Sequence, residues 1–261
     1  MKRPFGQHFL FDPNILKKII KCSGVTPDDT VVEIGPGLGT LTRFLSLYAK
    51  KVVAIELDKR LIEKLEGILS ESSNVEIIQA DALKFPYDTI EGNFKVVANI
   101  PYYITTPLFF RLLEFRGKVR SMTLLMQKEV ARRIAASHGS KEYGVLSISA
   151  QFYTRPKVEF TVSRKAFLPP PSVDSAVVSF EVSQSPIYPV KDEELFFSVV
   201  KAAFSQRRKT ITNSLKKFEG IKDALQEAGI DPGIRPEKLS ITDFTKLADA
   251  LCLPVSGREK S

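Results

Sequence analysis

TVVEIGPGLGTLTRFLSLYAKKVVAIELD, residues 30–58, joins two short β-branched runs through a glycine turn and a helical stretch. Residues 31–34 and 52–55 are nearly continuous in apolar character, which predicts strands buried on both faces, with 38–48 as the crossover helix between them. The pattern then repeats. Residues 61–69 read as helix, 75–81 and 94–100 as strands, 106–115 as helix and 121–127 as strand. Alternating strands and helices predict an α/β fold, a Rossmann-like arrangement with a mostly parallel central sheet and helices on both faces.

The glycines of EIGPGLGT are Gly35, Gly37 and Gly39, a G-x-G-x-G spacing directly after the first strand of the pair. Glycine there lets a ligand approach the backbone where a side chain would block it. Glu56 ends the next strand, 21 residues after Gly35, where a carboxylate can accept the hydroxyls of a ribose. Asp81 ends the third strand and can accept from an adenine amino group, and Asn99 ends the fourth. Strand-end caps and turn formers would explain any one of these residues. All four at the carboxyl ends of successive strands point to a ligand site. No GxxxxGK[ST] is present, which argues against a triphosphate cradle.

Beyond Glu129 the texture changes. EVARRIAA (129–136) looks helical, and YGVLSISAQFY (143–153) reads as strand or helix, its glycine and length favouring helix. Residues 157–163 and 175–183 alternate like a hairpin at a sheet edge, with LPPPSVDS between them. Past QSPIYPV come only amphipathic helical stretches separated by glycine and proline. The expected organisation is a catalytic domain over 1–185 and a small all-helical domain over 186–261.

The 261 residues are 43% hydrophobic and 26% charged, as for an ordinary globular protein with a sizeable core. No apolar run spans a bilayer, and MKRPFGQHFLFDPN lacks the apolar core of a secretory signal. Cys22 and Cys252 are isolated, so the expectation is a cytoplasmic protein with reduced thiols, no metal site and no membrane partner. The net charge of +8 is uneven. KAAFSQRRKTITNSLKK carries Lys201, Arg207, Arg208, Lys209, Lys216 and Lys217 with no acidic residue, which favours a phosphate backbone as partner. Arg132 and Arg133 form a weaker second patch. Salt bridges between the two domains are the competing use of Arg207 and Arg208.

With these residues in place, the chain resembles the class I S-adenosylmethionine-dependent methyltransferases, and more narrowly the bacterial small-subunit rRNA adenine N6,N6-dimethyltransferases. FGQHFLFDPNIL (5–16), EIGPGLGTLT, IELD (55–58), DAL (81–83) and NIPYYITTPL (99–108) follow the family's order. MQKEVARRI (126–134), FLPPPSVDSAVV (167–178) and FSQRRKTITNSL (204–215) are the discriminating motifs, and the match covers nearly the whole chain. The sequence departs at Ile100 and Tyr103, where many bacterial members carry Leu and Asn. The resemblance implies S-adenosylmethionine as methyl donor and 16S rRNA of the small ribosomal subunit or its precursor as partner. Two adjacent adenines near its 3′ end are the implied targets, and the expected enzyme is a monomer. It implies cofactor contacts at Gln7, His8, Leu10, Gly35, Gly37, Gly39, Glu56, Leu57, Asp81, Ala82 and Asn99.

The chemistry implied centres on Asn99, Pro101, Tyr102 and Phe167. The adenine amine is a poor nucleophile because its lone pair is delocalised into the ring. Two acceptors on its N–H groups, the Asn99 side-chain oxygen and the carbonyl of Ile100 or Pro101, would favour a more tetrahedral nitrogen. Tyr102 would stack on the base, and by resemblance Phe167 would supply the opposite face. Asn99 is neutral, so proximity and polarisation carry the reaction, the proton passing to water. Three other readings share parts of this pattern: a macrolide-resistance large-subunit rRNA methylase, a DNA adenine methylase, and a non-catalytic ribosome-assembly factor.

Overall fold

The computed structural model describes residues 8–206 and 208–252, so Gln7 and Arg207 lie outside the described residues. The chain runs β1 (Phe9–Leu10), α1 (Pro13–Ser23), β2 (Thr30–Ile34), α2 (Thr40–Ser46), β3 (Lys51–Glu56), α3 (Lys59–Ile68) and β4 (Val75–Gln79). It continues with β5 (Phe94–Asn99), α4 (Thr105–Glu114), β6 (Val119–Gln127), α5 (Lys128–Ile134), α6 (Val145–Gln151), β7 (Thr154–Val162), β8 (Phe167–Leu168) and β9 (Ser175–Val182). Helices α7 (Glu193–Phe204), α8 (Ile211–Ser214), α9 (Ile221–Glu227) and α10 (Ile241–Leu251) complete it.

Seven strands form one sheet in the order β4-β3-β2-β5-β6-β9-β7, parallel from β4 to β6 and antiparallel beyond. The order turns back at β2, since β3 and β4 lie to one side and β5 and β6 to the other. A crevice opens at such a reversal, outside the carboxyl ends of the strands. Val31, Val32, Val52 and Ala54 are fully covered or nearly so, as strands buried on both faces require. Each such valine contributes about 1.5–3 kcal/mol relative to an exposed one. The expected hairpin is present as β7 and β9, with β9 also paired to β6 and only β7 at the edge.

Packing divides the chain into two units. The first comprises residues up to Ala131 and Thr154–Gln184, and the second comprises Arg132–Tyr153 and the residues from Ser185 onward. A single cut at residue 186 is therefore too simple. Residues 132–153 pack with the C-terminal helices through α6, where Phe152 stacks on Phe196 at 4.7 Å and the Ile187 N–H donates to the Phe152 carbonyl. Arg132 and Arg133 accordingly belong to the helical unit. Segment 143–153 is helical at its centre, as its glycine suggested. In the same unit α10 starts on a capping box between Ser240 and Asp243, and Asp192 caps α7.

Helix α1 and the strands β1 and β8 have no counterpart in the sequence expectations. Helix α1 starts at Asp12, whose side chain accepts from the Asn14 N–H, with Pro13 in the first turn, and it ends on a left-handed Gly24. Strands β1 and β8 pair antiparallel as a separate ribbon, Phe9 opposite Leu168 and Leu10 opposite Phe167. This ribbon fixes the residues that follow His8 against the parallel sheet's carboxyl end.

Candidate active site

A cavity of about 270 Å³ lies in the first unit at that carboxyl end. Its floor is the loop after β2. Gly35, Gly37 and Gly39 have φ values of 66°, 61° and 73°, left-handed conformations that L side chains rarely adopt, and no other residue type takes a positive φ among the described residues. Space adds to this at two of them. A Cβ at Gly37 would lie 2.8 Å from the Phe9 ring, and one at Gly39 would lie 2.9 Å from Leu65. Gly35 and Gly37 line the cavity. Gly39, expected to touch the cofactor, is not among the lining residues; it starts α2 and lets α3 pack close.

The wall beyond the loop is built from the ends of β3 and β4. Glu56 is 5% exposed. Its Oε1 accepts from the N–H groups of Leu57 and Asp58, each at 2.9 Å, and its Oε2 accepts from the Gly37 N–H at 3.2 Å. Burial pushes its carboxyl above the ordinary range, and these backbone N–H groups oppose the rise. Oε2 holds one long bond, so it retains capacity for another donor. Leu57, Asp81 and Ala82 line the same wall, and Asp81 Oδ1 accepts from the Leu83 N–H.

Opposite stands the corner after β5. The Asn99 side-chain NH₂ donates to the His8 carbonyl at 3.1 Å, which leaves the amide oxygen as the outward acceptor. The His8 ring is held in turn, Nδ1 lying 2.8 Å from the Pro169 carbonyl. The two candidate carbonyls differ. Pro101 accepts from the Ile104 N–H at 3.1 Å and the Thr105 hydroxyl at 3.4 Å, so both its lone pairs are engaged. The Ile100 N–H joins the ladder to Leu125, while its carbonyl has no partner among the described residues. Pro101 has no N–H and fixes its own φ at −54°, so the chain leaves the ladder there. Tyr102 is half-buried, its hydroxyl 2.6 Å from Ser175 Oγ and its ring 5.8 Å from the His8 ring.

His8, Leu10, Asn99, Pro101 and Tyr102 thus meet around one cavity with the glycine loop, Glu56, Leu57, Asp81 and Ala82. Phe167 does not join them. It is 2% exposed and sits in the core with Leu10, Leu16 and Val177, because its pairing with Leu10 turns it inward. It has no free face for a base, while its neighbour Leu168 is 65% exposed.

Sequence reasoning missed Glu33, Phe9 and Tyr103, all of which line the cavity. Glu33 is 2% exposed and its Oε2 has no hydrogen-bond partner. Desolvation pushes its carboxyl up to about 8, with Glu56 adding to the rise and the Thr42 hydroxyl opposing it. Thr42 Oγ1 itself makes no hydrogen bond of good geometry, so its restraining influence is weak. The available signal was the acid's place in E-x-G-x-G, two positions before the first glycine of the loop.

Of the expected basic residues, Lys201, Arg208, Lys209, Lys216 and Lys217 are exposed in the second unit, as are Arg132 and Arg133. None of them is in a salt bridge among the described residues. Among the described residues no cluster of His, Cys, Asp and Glu could hold a metal, and no helix is long and apolar enough to cross a membrane.

Comparison with known proteins agrees with this geometry. The family model for ribosomal RNA adenine dimethylase matches residues 1–252. The chain is 46% identical over 265 residues to the ribosomal RNA small subunit methyltransferase A of Geobacillus thermodenitrificans, covering 96% of this chain and 90% of that one. Among solved structures it is similar to a dimethyladenosine transferase from Plasmodium falciparum, at 30% identity and a TM-score of 0.81, covering 92% of this chain and 96% of that one. It is also similar to the 23S rRNA methyltransferase ErmE, at 28% identity and a TM-score of 0.76, covering 94% and 100%. The chain belongs to the ribosomal RNA adenine dimethylase family.

Proposed function

We propose that this enzyme transfers methyl groups from S-adenosylmethionine to the N6 amines of two adjacent adenines near the 3′ end of 16S rRNA. Each adenine is methylated twice during maturation of the small subunit in the cytoplasm. The observation that carries the reading is the Asn99–Ile100 corner, where an amide whose NH₂ is already engaged is followed by a carbonyl without a partner among the described residues, both lining the glycine-floored cavity with Tyr102.

The residues present fit an S-adenosyl group. Glycine replaces side chains where a ligand would lie on the backbone, Glu56 Oε2 has room for a ribose hydroxyl, and Asp81 with Ala82 suits an adenine edge. Glu33 is a buried acid in the wall with an unpartnered oxygen, and it calls for a donor or a cation, such as the α-ammonium of the methyl donor. The bound donor supplies an electrophilic methyl on a sulfonium, whose sulfur leaves as a neutral thioether.

The chain's own work is to prepare the amine. Asn99 Oδ1 and the Ile100 carbonyl accept the two N6 hydrogens, which draws the lone pair out of conjugation and aims it at the methyl carbon. Tyr102 offers its face to the extruded base, and such stacking is worth about 1–3 kcal/mol. Its hydroxyl is tied to Ser175, so the ring is held before the base arrives. After the N–C bond forms, the amine loses its proton to water. For the second methylation one acceptor loses its N–H partner, and the remaining hydrogen keeps the other.

In the helical unit, Lys201, Arg207, Arg208, Lys209, Lys216 and Lys217, with Arg132 and Arg133, are the proposed contacts to rRNA phosphates. The chain acts as a monomer, without a metal. The test is methyl transfer from labelled S-adenosylmethionine to small subunits lacking the modification, with large subunits and duplex DNA alongside and products digested to nucleosides. Dimethyladenosine from small subunits alone is expected. Label in large subunits would move the protein to the resistance branch, and tight particle binding without label would make it an assembly factor.

A further inference from the structure

Two tyrosines stand side by side on the turn after β5 (Tyr102–Ile104), and they point to different work. Tyr102 is anchored toward Ser175 and His8. Tyr103 is 59% exposed, makes no hydrogen bond through its hydroxyl among the described residues, and lines the same cavity. Its phenol is raised by partial burial and by the fields of Glu56 and Asp81, the carboxylates at the ends of β3 and β4. Those strands lie two and three places from β5 in the sheet, with β2 between. At about 4.8 Å per strand, the nearer of them is roughly 10 Å away. The cavity that Tyr103 lines is shared with both carboxylates and with the glycine loop after β2, so its side chain belongs to the same trough as theirs. Beneath it, Gly35 and Gly37 present no side chains. Leu57, 47% exposed, lines the same cavity.

We propose that Tyr103 closes over the adenosine half of this trough and sets how tightly the methyl donor is held, leaving Tyr102 as the platform for the target base. Tyr103 and Leu57, both exposed, line the cavity together with Glu56 and Asp81. An aromatic ring left exposed at a cavity mouth gains cover when a flat base enters, and the phenol can donate to the ribose or to a carboxylate. The proposal rests on the assignment of the cavity to S-adenosylmethionine.

Calorimetric titration of the full chain with adenosine and with S-adenosylhomocysteine separates the two claims, using wild type, Tyr103→Ala and Tyr103→Phe. Binding of both compounds by wild type is expected, and binding of neither would sink the cofactor assignment together with the proposal. Tyr103→Ala should weaken both compounds by a similar factor, about tenfold, as loss of one stacking ring implies. Tyr103→Phe should remain within about threefold if the ring carries the effect. The KM for unmodified small subunits, at saturating methyl donor, should stay unchanged in both variants. Wild-type affinity for adenosine in Tyr103→Ala overturns the proposal alone. A raised KM for subunits in that case would assign the ring to the RNA side.

Discussion

Glu33 is the residue on which pH should act most visibly. Its carboxyl is pushed up to about 8 in the folded chain against 4.5 ordinarily, so folding is favoured while the acid stays protonated. That contribution is fully present below about pH 4.5 and is lost as pH rises toward 8, at about 1.4 kcal/mol per unit within the window. Glu33→Gln should remove the slope. In thermal unfolding of the ligand-free protein, the variant should gain on wild type between pH 5 and pH 8 and run parallel above. A wild-type stability flat across that range would contradict the burial argument. A cationic ligand group beside Glu33 reverses its sense, so cofactor binding should release a proton near pH 7. Titrations in buffers of different ionisation enthalpy would detect this in wild type and miss it in Glu33→Gln. The residue was overlooked in the sequence because an acid inside an apolar strand reads as a solvent-facing exception. Only the three-dimensional packing closes water away from it.

At the scale of elements, the parallel strands β2 to β6 and their crossover helices were legible because periodicity and glycine breaks are local signals. Expected and observed boundaries differ by a residue or two at most strand ends. The β1–β8 ribbon was not legible, since two-residue strands carry no periodicity and their pairing joins residues more than 150 positions apart. The misreading of Phe167 follows from that. Its motif suggested a stacking face, but a non-local pairing turned it into the core. The ribbon also explains why the loop tolerates so little at Gly37. Gly37→Ala should be destabilising twice, by about 1–2 kcal/mol for the left-handed backbone and by about 1–3 kcal/mol for displacing the Phe9 ring. Gly24→Ala has a similar φ of 57° and open space around its Cβ, so it should show the first cost only. Equal losses in denaturant unfolding would mean that Phe9 does not pack where the structure has it.

For the whole molecule, the division into two units was legible near residue 185, where the strands stop and QSPIYPV begins. The transfer of residues 132–153 to the helical unit was not. A helix announces itself by its own periodicity and says nothing about which neighbours it will pack against. The same limit applies to the basic stretch, whose charge is plain in the sequence while the exposure of Lys201, Arg208, Lys209, Lys216 and Lys217 needs the fold. If Lys216 and Lys217 each neutralise an RNA phosphate, the double Gln variant should bind small subunits more weakly. Its slope of log K against log salt should be shallower by about 1.4–1.8. An unchanged slope would assign those lysines to solvent.

Under the proposed mechanism the amine is made nucleophilic at the Asn99–Ile100 corner. Single-turnover methyl transfer to unmodified small subunits, at saturating methyl donor, measures this directly in wild type and Asn99→Ala. Loss of one of two preorganised acceptors should slow transfer by about 10²–10³-fold, with particle binding retained. A variant that still forms dimethyladenosine at close to the wild-type rate would contradict the mechanism.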